Sequence, residues 1–180
     1  KLSFYSGLYD IPKANNPYGN TKKMNQGFNF LHSQKFKNID FVLGGTMQTD
    51  QGYVAGIPDT TYPNPADPNH SHYRNTEGQN SKRGRINFNF RYRNPKIEGL
   101  YYGVNANAMH SYSNSTFIWL GGGGDSLFRS TAGTMTVTNQ NVLSVDPFIT
   151  YSKSNGTKHK LLTRYFYLDN QVQGGKANTS

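Results

Sequence analysis

The chain contains no cysteine, so neither a disulfide framework nor a thiolate metal site is open to it. It is also poor in apolar residues: 34% are hydrophobic and the mean hydropathy is −0.76. No run of about 18 apolar residues exists, which excludes a transmembrane helix; the longest apolar cluster is Phe117-Ile118-Trp119-Leu120. Carboxylates are few, 10 against 19 Lys and Arg, and they are scattered over turns. No pair of them is placed for general acid–base work. Asp59, Asp67 and Asp125 are too dispersed for a calcium loop. No Gly-x-Ser-x-Gly supports a Ser-His-Asp arrangement. The glycines Gly121 to Gly124 lack the Lys-Ser/Thr and the helix of a phosphate-binding loop. An enzyme is not expected, and no cofactor is implied. The net charge of +9 comes from dispersed residues, with no basic helix and no nucleic-acid motif, so nucleic acid is not an expected partner.

What the chain has in quantity is aromatic residues and glycine: 13 Tyr, 11 Phe and 19 Gly in 180 residues, a length suited to one domain. A globular core built mainly of aromatics would be unusual. A barrel with a wet interior needs few core aliphatics. Disorder fits the low hydropathy but not the aromatic content or the alternation described next.

The clearest pattern runs from Gly84 to Tyr112. Ile86, Phe88, Phe90 and Tyr92 fall on one face of a strand, and Arg85, Asn87, Asn89, Arg91 and Arg93 on the other. Asn94-Pro95-Lys96 breaks the pattern as a tight turn would. Leu100, Tyr102, Val104, Ala106 and Ala108 then alternate with Tyr101, Gly103, Asn105, Asn107 and Met109. Strands of soluble sandwiches usually run about five or six residues. Strands that cross a bilayer need about 9–11, apolar toward lipid and polar toward the lumen. Tyr92, Tyr101, Tyr102 and Tyr112 stand where interfacial girdles would lie. An amphipathic hairpin of a soluble β-protein remains the other reading of this stretch.

The remaining strands are predicted at Lys1–Asp10, Met24–Ser33, Asn38–Gln48, Thr134–Ser152 and Lys158–Asn170. Ile11–Lys23 and Thr49–Ser81 are loops rich in Pro, Asn and Asp, and Ser113 to about Ala132 is a third irregular stretch. Gln34–Lys37 is a short connection, and Ser154-Asn155-Gly156 supplies an Asn-Gly turn. The connections therefore alternate long and short. Outer-membrane barrels alternate in the same way, with short periplasmic turns and long extracellular loops. The expected fold is all-β: an antiparallel, up-and-down segment of a transmembrane barrel with about seven strands. A closed bacterial barrel needs an even number, so seven strands read as an incomplete wall. The chain opens directly on Lys1-Leu2-Ser3, without a leader pattern.

Two blocks carry a resemblance. KLSFYSGLYD looks like a first barrel strand, and VDPFITYSKSNGTKHKLLTRYFYLDN resembles a strand–turn–strand block marked by Asp146-Pro147-Phe148, Tyr151 and Arg164-Tyr165-Phe166. The chain thus resembles the first third of the barrel of a TonB-dependent outer-membrane receptor. The resemblance implies that residues 1–180 are a partial barrel in the cell outer membrane, lacking the plug, the TonB-box peptide and the aromatic-ended last strand. It implies part of an importer of a scarce nutrient, such as a ferric siderophore, haem or cobalamin. An oligosaccharide importer of the same family is the runner-up, and a soluble β-sandwich carbohydrate-binding or adhesin module is the alternative of another class. The implied partners are the plug, the remaining barrel strands, the TonB complex reached through the plug, outer-membrane lipid and a small nutrient.

On that basis Arg85, Arg91, Arg93 and Arg164 are expected on the lumen face, where they attract anionic cargo or pair with acidic plug residues. Tyr53 and Trp119, in outer loops, are candidates for stacking on a sugar or a flat ligand. His70 and His72, with Asp67 nearby, are weak metal candidates, a solvated loop being the more ordinary reading. Ile86, Phe88 and Phe90 are expected to face lipid, and Asn87, Asn89 and Arg91 the lumen.

Overall fold

The computed structural model describes residues 1–9, 23–52, 80–116 and 135–173. The described residues form one antiparallel sheet and contain no helix. Its strands are β1 (Leu2–Leu8), β2 (Met24–Phe36), β3 (Ile39–Asp50), β4 (Asn80–Arg93), β5 (Leu100–Thr116), β6 (Met135–Ser152), β7 (Lys158–Leu162) and β8 (Tyr165–Gln173). Each strand pairs with the next in sequence as far as β7, so the topology is strictly up-and-down. β1 and the last strand lie at opposite edges and do not pair, so the sheet is not closed among these residues.

β7 and β8 occupy one position. Both pair with β6 in a continuous register, Phe148↔Leu162 below and Val145↔Tyr165 above. Pro147 faces the gap between them. It has no N–H to donate, although its carbonyl still accepts from the Thr163 amide at 3.1 Å. The expected seven strands thus become eight assigned segments, because proline removes one rung from the seventh.

The strands run further than their side-chain alternation suggests. β2 continues through Gln34–Phe36, expected as a connection, because these residues pair with Phe41, Asp40 and Ile39. β3 reaches Asp50 and β4 begins at Asn80, trimming both ends of the Thr49–Ser81 loop. β5 extends to Thr116, into a stretch expected to be irregular.

All short connections lie at one end of the sheet. Lys37–Asn38 joins β2 to β3. Asn94 to Gly99 joins β4 to β5, longer than the expected Asn-Pro-Lys turn. There the Asn94 side-chain oxygen accepts from the amides of Lys96 (2.8 Å) and Ile97 (3.2 Å), as in an Asx-turn. Gly99 closes the connection at φ 77°, a conformation that a side chain would strain. Lys153–Thr157 joins β6 to β7, with Gly156 at φ 85° and the Lys153 amide bonded to the Thr157 carbonyl at 2.8 Å.

The sheet has one apolar and one polar face, set by strand parity. One crosswise row holds Leu2, Phe30, Gly45, Ile86, Ala108 and Leu143. The next row toward the short connections on β3 to β6 holds Leu43, Phe88, Ala106 and Val145. Phe41 meets Phe88 edge-on at a centroid distance of 5.6 Å. No second layer covers these side chains among the described residues: Leu2 is 74% exposed, Phe4 70%, Met47 66% and Ile86 54%. Among the described residues, Thr150 is the largest side chain that is fully buried.

The apolar band crosses the strands obliquely. Leu2 is the apolar-face residue of β1 nearest the short connections, and the row it begins reaches Leu143 on β6. There Leu143 is the member of the Leu143–Tyr151 apolar run furthest from those connections, with Asn141 and Asn139 beyond it. The band therefore slides toward the short-connection end between β1 and β6.

Candidate functional site

The candidate site is the polar face. Strand parity places Arg85, Arg91 and Arg93 of β4 on this face, and the register with β6 adds Arg164 opposite Asp146. All four sequence-selected arginines thus share one surface, but they do not form one cluster.

At the short-connection end, Asp40 of β3 collects two guanidinium groups. Arg91 donates from Nε (2.7 Å) and Nη2 (2.5 Å) to Oδ2, and Arg93 donates from Nη2 to Oδ1 at 2.6 Å. Register explains the meeting, because Asp40 lies directly opposite Arg91. The Arg91 guanidinium also lies 5.7 Å from the centroid of the Tyr101 ring. Tyr101 is therefore a polar-face residue and not the girdle residue expected. Tyr92 and Tyr102 stay on the apolar face, with ring centroids 5.4 Å apart. Further across, Arg164 grips Asp146 with two parallel bonds, Nε to Oδ1 at 2.8 Å and Nη2 to Oδ2 at 2.7 Å.

Asparagine fills the middle of the face. Asn89 donates to Asn105, and Asn107 to Asn87, as direct cross-strand pairs. With Ser144 and Asp146 they line a cavity of about 290 Å³. Nearer the long-segment end, Arg85 donates to the Met109 thioether at 3.7 Å. Arg83 and Arg85, with no carboxylate partner among the described residues, line a second cavity of about 280 Å³ with Tyr5, Asn29 and Gln48.

At the upper rim the Tyr9 hydroxyl donates to both Asp50 oxygens at 3.0 Å, and Asp50 also accepts from the Gly52 amide at 2.7 Å. Partial burial, and then the hydrogen bond to the Asp50 carboxylate and its charge, push the Tyr9 phenol above its ordinary pKa. The last strand departs from the polar pattern: Leu162, Phe166, Leu168 and Val172 project onto the face occupied elsewhere by Asn and Arg.

No family model, curated protein or solved structure matches this chain. What the face can do is therefore argued from its own chemistry. Away from β7 and β8 it carries mainly hydrogen-bond donors and acceptors and an excess of cations, which suits an anionic or hydroxyl-rich ligand. Groups of three or more metal-ligating side chains are absent among the described residues. Tyr53, Trp119, His70 and His72 lie outside the described residues. Lys158 and Lys160, not singled out from sequence, also point onto this face; their parity with Arg164 was the available signal.

Proposed function

We propose that this chain forms part of the wall of an outer-membrane barrel of the TonB-dependent receptor type, and that the receptor imports a scarce anionic nutrient such as a ferric siderophore or haem. Cobalamin belongs to the same class of cargo. The observation that carries the reading is the oblique, uncovered apolar band. A flat hydrocarbon slab crossed by tilted strands wets each strand at a different height, so its imprint on the sheet is diagonal. The long segments after β1, β3 and β5 all leave from one end, as extracellular loops would.

The cargo part rests on Arg83 and Arg85, which lack carboxylate partners among the described residues and line the cavity nearer the loop end. The asparagine-lined cavity in the middle of the face favours a second reading, an oligosaccharide, whose hydroxyls match amide donors and acceptors. In the receptor reading, the apolar side chains of β7 and β8 on the polar face meet the plug domain, and the plug meets the TonB complex.

These 180 residues hold no cysteine, which suits a cysteine-labelling test. Single cysteines replace Ile86 or Asn87 in the intact protein, reconstituted in lipid vesicles and labelled with a fluorophore. A quencher on the lipid acyl chains should dim the label at 86 strongly and at 87 little. Equal quenching at both positions overturns the wall reading. Quenching at neither, with the protein remaining outside the vesicles, points to the soluble sandwich.

A further inference from the structure

A third cavity, of about 250 Å³, opens on the polar face near the Lys153–Thr157 connection. Arg91, Tyr101, Phe148, Lys158 and Lys160 are among its walls. Its electrostatics are one-sided. Arg91 and Arg93 share the single carboxylate of Asp40, and the next carboxylate across the face, Asp146, is gripped by Arg164. Lys158 and Lys160, two residues apart on β7, project together onto this face and pair with no carboxylate among the described residues. Three cations, Arg91, Lys158 and Lys160, line the cavity and no carboxylate does; the Asp40 carboxylate that Arg91 holds is shared with Arg93.

The cavity also has directed donors. Arg91 commits Nε and Nη2 to Asp40, and its position over the Tyr101 ring fixes the guanidinium plane, leaving Nη1 uncommitted. The lysines are compact charges on long stems that can converge on an oxyanion from the opposite wall.

We propose that this cavity is an oxyanion-binding site, in which Lys158 and Lys160 supply charge and Arg91 an oriented donor, for a small, multiply charged anion of phosphate or polycarboxylate type. The site stands on side-chain placement and does not depend on which solvent meets the apolar face.

Isothermal titration calorimetry on the intact protein tests it, with inorganic phosphate and citrate as separate probes at low and high salt. The wild type should bind at least one probe, more weakly as salt rises. The Lys158→Gln/Lys160→Gln variant should weaken that binding by roughly tenfold or more, and Lys96→Gln, in the exposed β4–β5 connection, should not change it. Phosphate binding alone assigns a phosphate-type ligand, citrate alone a polycarboxylate, and both a general oxyanion site. Each variant is checked for an unchanged circular-dichroism spectrum. Undiminished binding in the double-lysine variant, or no binding of either probe to the wild type at millimolar concentration, overturns the proposal. Because quenching at Ile86 reports the membrane reading separately, failure of one is distinguishable from failure of the other.

Discussion

Replacing Phe88 with arginine is expected to be far more damaging than making the same replacement one residue along, at Asn89. Phe88 lies in the middle of the β4 apolar run from Ile86 to Tyr92, opposite Leu43 and Ala106. In the proposed barrel wall, an arginine facing hydrocarbon there costs about 2–4 kcal/mol. Loss of the edge-on contact with Phe41 adds about 0.5–1.5 kcal/mol, so the two together amount to about 2.5–5.5 kcal/mol. Asn89 faces the other way, and its replacement loses a cross-strand amide bond worth about 1 kcal/mol. The gap between the variants is then about 1.5–4.5 kcal/mol. Urea titration of the intact protein refolded into lipid vesicles measures both stabilities under one condition. Equal losses, or a larger loss at Asn89, would refute the assignment of faces. Repeating the titration in a thinner bilayer adds a check that a soluble protein would not pass, since the Phe88→Arg penalty should shrink as the arginine comes closer to the interface.

Two further outcomes follow from close contacts. A Cβ at Gly103 would collide with the Phe90 carbonyl oxygen and the Phe148 ring, whereas one at Gly84 would meet nothing within 4 Å. Gly103→Val should therefore destabilise by roughly 2 kcal/mol or more, Gly84→Ala should be close to neutral, and a urea midpoint for each checks the pair. The raised pKa of Tyr9 means that its neutral form is favoured on folding, so its stabilising contribution is complete below the ordinary tyrosine range and is lost as pH rises through the folded pKa. Tyr9→Phe should flatten the alkaline limb of the stability–pH curve and leave the neutral region's slope unchanged; an alkaline limb identical in both proteins would sink this account.

The faces were legible in the sequence because parity survives without alignment: every residue from Arg85 to Arg93 alternates, and the structure keeps that order. Strand ends were not legible. Gln34 and Lys35 look like a polar connection, but the ladder with Phe41 and Asp40 holds them extended whatever their side chains prefer. The arginines of the candidate site could be placed on a face but not paired. Arg91 and Asp40 are 51 residues apart, and only the β3–β4 register brings them together. Tyr101 was read in two ways, by parity on the face of Asn105 and Asn107 and by its place near a strand end as a girdle residue, and parity was the better guide. Pro147 looked compatible with a strand interior, and the structure accommodates it by leaving one rung unmade toward the last strand.

Every pairing from β1 to the last strand keeps a single register along its full length, without one extra residue on either side. The sheet therefore imposes a two-letter reading frame on its own sequence. Inserting one residue in the middle of β4 would transpose everything beyond it, delivering Arg91 to the face of Phe90 and Phe90 to the face of the asparagines. Inserting two would restore the faces but shift each rung against both neighbouring strands. Change in length is thus confined to the segments between strands, and within strands the chain can vary by spelling but not by counting.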